Sequence, residues 1–152
     1  MRRFLACCEE IEQTVADIYK YWQKTYSDDR ELSDLWGKLA DDELAHVSQL
    51  KLARRLPVDG VFVNIEVDSK SIEVLLVRAR KLLADVQKVT LTKEKALRTA
   101  IRMEEAFNQA HVNNVGEFAS PAMKAMFNSL ARDDAQHVAI LQSYYSRQFG
   151  NS

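Results

Sequence analysis

The sequence contains few of the residues that most often interrupt regular backbone structure: four glycines and two prolines among 152 residues. This scarcity excludes a turn-rich β fold and predicts long, unbroken helices. An excess of either charge is also missing, because 21 Lys and Arg offset 22 Asp and Glu. No global electrostatic field therefore draws the protein to nucleic acid or to an anionic membrane, and we expect neither as a partner.

Long hydrophobic runs and spaced cysteines are absent as well. The apolar stretch after the N-terminal basic pair (FLACC) is too short for the core of a signal peptide, and no run approaches the roughly 18 apolar residues of a spanning helix. The adjacent cysteines, Cys7 and Cys8, suit neither a disulfide framework nor a zinc ribbon. We therefore expect a cytoplasmic protein whose residues 1–152 form a single domain.

Apolar periodicity predicts four long helices. In the first segment the apolar residues recur at alternating steps of three and four, which is the pattern of an amphipathic helix: Phe4, Cys8, Ile11, Val15, Ile18 and Trp22. Cap and breaker residues delimit the other segments, with Pro57 after the second helix, Thr92 before the third and Ser120-Pro121 before the fourth. The predicted ranges are about 3–26, 31–55, 92–118 and 121–148.

A crossover over about 57–91 separates the second and third long helices. Its residues 61–67 (VFVNIEV) alternate as an extended segment does, and a shorter helix is expected from Ser69 or Ser71 onward. Short connections make the first and second helices antiparallel, and likewise the third and fourth. The predicted fold is an all-α four-helix bundle with one long crossover.

The two halves of the sequence repeat each other. LADDELAHV at 39–47 matches LARDDAQHV at 130–138, at an offset of 91 residues. The predicted core stripe of the second helix is Leu32, Leu35, Leu39, Glu43, His46 and Leu50. Its counterpart in the fourth helix is Met123, Met126, Leu130, Asp134, His137 and Leu141. The first and third helices repeat at an offset of 92, which aligns Glu12 with Glu104 and Tyr19 with His111.

Ionisable residues interrupt these apolar stripes. Helical rotation of 100° per residue turns Glu12 toward the core and Glu9 and Glu10 away from it, and it separates Glu104 from Glu105 in the same way. The core therefore receives four carboxylates and two imidazoles: Glu12, Glu43, Glu104, Asp134, His46 and His137. Unpaired, such a cluster would cost several kcal/mol per buried ion, and two divalent cations would remove that cost.

The i, i+3 spacing of Glu43 with His46, and of Asp134 with His137, places each pair on one helical face, where both side chains can bind one metal ion. Ligation by oxygen with one imidazole per metal favours iron, with manganese and zinc as alternatives. The alternative to a metal site is a pair of buried salt bridges, or a solvated helix face. The repetition of the anomaly in both halves favours the metal site.

With these motifs, and with AIRMEEAFNQAH at 100–111, the sequence resembles the ferritin-like di-iron carboxylate family, in its rubrerythrin-like branch. The resemblance implies two iron ions that react with dioxygen or hydrogen peroxide, with Glu12 and Glu104 as terminal or bridging ligands. It also implies that Tyr19 donates a hydrogen bond to a ligand carboxylate, although a plain core tyrosine explains this residue nearly as well. We expect His111 to hydrogen-bond a metal ligand rather than to bind the metal itself. Cys8 is expected to be a small buried hydrophobic residue rather than a thiol close to the metal ions.

Three departures from the family pattern alter these expectations. Asp134 replaces a Glu, Phe107 occupies the position of an additional carboxylate, and no Cys-x-x-Cys pair exists to form a rubredoxin electron donor. Electrons must therefore come from an external donor. We expect a homo-oligomer, with a dimer favoured. The alternatives are a ferroxidase that feeds iron storage, and a non-enzymatic metal-binding helical bundle.

Overall fold

A computed structural model describes residues 2–55, 69–115 and 121–150, and these residues form five α-helices and no strand. The helices are α1 (Arg2–Thr25), α2 (Arg30–Arg54), α3 (Ser69–Lys88), α4 (Lys93–Val115) and α5 (Pro121–Phe149). The prediction of an all-α fold is confirmed, and the five helices are compatible with a four-helix bundle plus an extra helix. The extended segment 61–67, Pro57 and the cap residue Ser120 lie outside the described residues.

The chain divides into two compact units, residues 1–90 and 91–152. The first contains α1, α2 and α3, and the second contains α4 and α5. Each unit holds one copy of the repeated helix pair. The prediction of a single domain over the whole chain stays a prediction.

In the first unit, α1 and α2 pack as an antiparallel pair around aromatic side chains. Tyr19, Trp22 and Trp36 are at most 1% exposed, and the rings of Tyr19 and Trp36 stack with centroids 5.4 Å apart. Such aromatic pairs add about 0.5–1.5 kcal/mol beyond the burial of their surface. A side-chain cap starts α2, where the carboxylate of Asp29 accepts a hydrogen bond from the Leu32 amide at 3.1 Å. The ring stacking holds α2 against α1, and the cap determines where α2 begins.

The third helix of this unit packs against α1. Its buried face is Ile72, Leu76, Ala79 and Val86. Ion pairs flank that face: Arg3 lies 2.6 Å from Glu73, and Arg80 pairs with Glu10. Because these ion pairs are largely solvated, the apolar face supplies most of the stabilisation.

In the second unit, α4 and α5 form the other antiparallel pair. Thr92 caps α4 as predicted, its hydroxyl accepting a hydrogen bond from the Lys95 amide at 3.2 Å. Asn108 donates a hydrogen bond to the carbonyl of Ala131 at 2.6 Å and so joins the two helices.

The predicted core stripes need the same one-residue correction in both units. Leu35 and Met126 are only half-buried, whereas Trp36 and Phe127 are fully buried. Trp36 and Phe127 are again 91 residues apart, so the corrected stripes obey the repeat as the predicted ones did. The corrected positions restore the alternation of three- and four-residue steps that keeps side chains on one helical face.

Candidate metal centre

Three of the predicted ligands come together in the first unit, and we call Glu12, Glu43 and His46 the first-half cluster. Nδ1 of His46 lies 3.1 Å from Oε2 of Glu43 and 3.4 Å from Oε2 of Glu12. All three side chains are at most 2% exposed, and each offers one ligand atom within 4.8 Å of the others. The cluster is therefore a closely spaced, water-excluded set of one nitrogen and two carboxylate ligands.

Local helical geometry explains why these three side chains meet. Glu43 and His46 are one turn apart on α2, so they project from one face. Glu12 is the inward-facing carboxylate of α1, as predicted, since Glu10 is exposed and Glu9 pairs with Arg54 at 3.4 Å near the surface. The antiparallel packing of α1 and α2 brings Glu12 to the height of His46.

Three further predicted ligands come together in the second unit, and we call Glu104, Asp134 and His137 the second-half cluster. Their ligand atoms lie within 4.8 Å of one another, and all three side chains are at most 2% exposed. Nδ1 of His137 lies 3.4 Å from Oε1 of Glu104. Glu105 is exposed, as the helical rotation predicted. The repeat thus places a second set of one nitrogen and two carboxylate ligands in α4 and α5.

The spacing of these atoms fits metal ligation. Two ligand atoms bound to one cation at about 2.1 Å and at right angles lie about 3 Å apart. The nitrogen-to-oxygen distances of 3.1 and 3.4 Å in the first-half cluster, and of 3.4 Å in the second, match the edges of such a coordination sphere. Each buried cluster could therefore bind a metal ion.

Burial and mutual repulsion perturb the ionisation of the first-half cluster in the absence of a cation. Burial raises the pKa of Glu12 to about 7, and repulsion from the neighbouring Glu43 adds to the increase. Burial alone would lower the pKa of His46, but hydrogen bonds to Glu12 and Glu43 outweigh it and raise that pKa to about 12. A charged His46 therefore occupies the position of the positive charge that a metal ion would supply.

The two residues predicted to support the ligands have different surroundings. His111 is 4% exposed, and its Nδ1 lies 2.6 Å from Oδ2 of Asp134. Tyr19 stacks on Trp36, as a core aromatic does. The sequence pattern did not predict that His111 contacts Asp134. The alignment of His111 with Tyr19 indicated only that this position lies near the ligands. Both predictions of ligand support stay predictions.

Cys8 is a buried residue of α1. The Cys8 side chain is 1% exposed, and burial, followed by the charge of Glu12, raises the pKa of its thiol. The thiol is thus kept protonated and unreactive, as expected of a small buried hydrophobic residue.

Among the described residues, no helix combines the length and the apolar character needed to cross a membrane.

Comparison of the chain with protein-family models, with curated proteins and with solved structures found no match. The function of the protein is therefore inferred from its own residues.

Proposed function

We propose that the protein is a di-iron carboxylate oxidoreductase of the ferritin-like, rubrerythrin-like kind, which binds one iron ion in each cluster and reacts with dioxygen or hydrogen peroxide. The observation that carries the proposal is the duplicated burial of two carboxylates and one imidazole with ligand-like spacing. A buried salt bridge placed by chance has no reason to recur at the same offset in the second half.

The proposal assigns a role to each ligand. Glu43 and His46 hold one iron ion, Asp134 and His137 hold the other, and Glu12 and Glu104 act as terminal or bridging ligands. This oxygen-rich donor set favours iron, with manganese as the nearest alternative, over structural zinc, which prefers thiolates and closed tetrahedral sites. When bound, the metal pair supplies the electrons that reduce the oxidant.

The chain's own residues determine what such a site can do. The ligands are nearly inaccessible to water, so substrates as small as dioxygen or hydrogen peroxide suit it better than larger ones. Because Glu12 carries a proton below a pH of about 7 in the metal-free protein, metal binding releases a proton from it. The sequence has no Cys-x-x-Cys pair for an iron–sulfur or rubredoxin-type centre, so the proposal requires an external electron donor.

Metal analysis of protein purified without oxygen tests the proposal. We expect about two iron ions per chain in the wild type, and their oxidation by hydrogen peroxide should be visible by absorption spectroscopy. Less than about one transition metal ion per chain would contradict the proposal. Stoichiometric zinc in place of iron, with no response to peroxide, would identify a non-enzymatic metal-binding bundle.

The assembly and location of the protein are part of the proposal. We propose a cytoplasmic homodimer, and size-exclusion chromatography with light scattering measures the assembly directly. A large multi-subunit shell would instead favour the ferroxidase that feeds iron storage. Fractionation of cells expressing the chain tests the location.

A further inference from the structure

The two clusters differ in the contacts available to the carboxylate that shares a helix with the ligand histidine, which is Glu43 in the first half and Asp134 in the second. In the first-half cluster, Glu43 contacts the imidazole of His46, one turn along the same helix. In the second-half cluster, Nδ1 of His111, on the neighbouring helix, lies 2.6 Å from the equivalent carboxylate, Asp134. The repeat aligns His111 with Tyr19, so the imidazole is a feature of the second half alone.

The length of this contact distinguishes a hydrogen bond from shared ligation. Two atoms on one cation lie about 3 Å apart at right angles, whereas a charge-assisted N–H to carboxylate hydrogen bond is about 2.7–2.9 Å long. The 2.6 Å between Nδ1 of His111 and Oδ2 of Asp134 is slightly shorter than such a hydrogen bond and well below the distance expected for shared ligation. As a metal ligand Asp134 must be ionised, and an ionised carboxylate only accepts, so the imidazole N–H of His111 donates.

We propose that His111 is a positioning residue that holds Asp134 ready for metal, and that the second-half cluster consequently binds its metal ion first and more tightly. The proposal rests on the proposed function, since it requires one metal position in each half.

The difference in affinity follows from which contacts survive metal binding. A cation that enters the first-half cluster replaces the contacts of His46 with both Glu12 and Glu43. A cation that enters the second-half cluster likewise replaces the contact of His137 with Glu104, but it leaves the hydrogen bond between His111 and Asp134 intact, because His111 is not among the proposed ligands. Asp134 is therefore already oriented when the metal ion binds, and a ligand held in its bound orientation loses less conformational freedom.

The chain offers a closely matched control. Asn108 and Ala131 lie three residues before His111 and Asp134 respectively, and their hydrogen bond joins the same two helices at 2.6 Å. Asn108→Ala therefore removes an α4–α5 hydrogen bond without touching a proposed ligand. It should lower the melting temperature and leave metal affinity unchanged.

Titration of the metal-free protein with cobalt(II), followed by calorimetry and by visible absorption, tests the proposal. We expect two binding events in the wild type and in Asn108→Ala, with dissociation constants that differ by at least about tenfold. His111→Asn, whose amide can replace Nδ1 as the donor to Asp134, should retain both events. His111→Gln places its amide farther out and should weaken the tight event by about 10–100-fold, with an altered cobalt spectrum.

Single ligand variants assign the tight event to one half. His137→Ala should abolish it, whereas His46→Ala should abolish the weaker event, and this pair decides the question even if His111→Gln does not fold. Loss of the tight event in His46→Ala, equal affinities in the wild type, or wild-type binding by His111→Gln would each overturn the role of His111. A single binding event in the wild type would overturn the difference in affinity, whereas less than about one metal ion per chain would overturn the proposed function itself.

Discussion

Nδ1 of His46 lies 3.4 Å from Oε2 of Glu12, and this contact joins α1 to α2 at the height of the proposed metal ligands. Both side chains are at most 2% exposed, so the pair is screened from water. An imidazolium in this position balances the buried carboxylates when no metal is present. The same groups that would bind iron therefore also determine the stability of the metal-free protein.

Replacing His46 and His137 together with Ala should remove bound metal and destabilise the protein. In the first unit, loss of His46 leaves Glu12 and Glu43 buried without their positive partner, which typically costs about 3–5 kcal/mol. Elemental analysis measures the metal, and urea unfolding of the metal-free protein measures the stability. As a control, Lys38→Ala removes an exposed pair with Asp42 and should change the free energy of unfolding by less than about 0.5 kcal/mol. Unchanged metal content in the double variant would place the site elsewhere.

The metal-free protein should lose stability as the pH rises. The pKa of Glu12 is raised from 4.5 to about 7 on folding, so its contribution is complete below pH 4.5 and is lost as the pH rises to about 7. His46 acts in the same direction, because its folded pKa of about 12 exceeds the usual 6.5, and its contribution declines as the pH rises above 6.5. For Glu12 the difference between its pKa in the folded and the unfolded protein corresponds to about 3 kcal/mol in the free energy of unfolding.

Guanidinium unfolding of metal-free protein at pH 5 and pH 8 measures this loss. The free energy of unfolding of Glu12→Gln should change less between pH 5 and pH 8, because an amide does not titrate. An equal pH dependence in the wild type and in Glu12→Gln would show that Glu12 does not carry the effect.

The carboxylate cap of α2 should contribute measurably to folding. Asp29→Ala removes the acceptor of the Leu32 amide and should cost about 1 kcal/mol in the free energy of unfolding. Asp29→Asn should restore most of the loss, because an amide oxygen caps nearly as well. Equal loss in both variants would indicate that the charge of Asp29 matters rather than its hydrogen bond.

Gly37 should show a stability effect that depends on Gln23. A Cβ at Gly37 would clash with Nε2 of Gln23, the far end of a flexible side chain. In a Gln23→Ala background, Gly37→Ala should therefore stabilise the protein by about 0.5–1 kcal/mol through helix propensity. In the wild-type background the gain should be smaller, since Gln23 must move. A double-mutant cycle by thermal unfolding measures the difference, and identical gains in both backgrounds would contradict the contact.

Much of the fold could be predicted because helical periodicity is a local property. The steps from Phe4 to Trp22 identified the buried face of α1, and the same rotation separated Glu12 from Glu10 and Glu104 from Glu105. Prediction was wrong where two adjacent apolar residues competed for one core position. Leu35 and Trp36 are both apolar, and the stacking of Trp36 on Tyr19 decides between them. Periodicity along α2 alone cannot predict which of the two residues is buried, because the answer depends on the side chains of α1.

By itself, the sequence determined the number of long helices, the faces that they bury and the six ionisable residues that those faces carry, because scarce glycine and proline and a 3.6-residue period act along the chain. Only the tertiary structure decided which atoms of these residues meet. In that structure His46 lies between the carboxylates of Glu12 and Glu43, and Asp134 contacts His111, a residue 23 positions away. The physical reason is that helical rotation orients a side chain toward a core, whereas its partner is selected by rotamer and by the packing of a second helix.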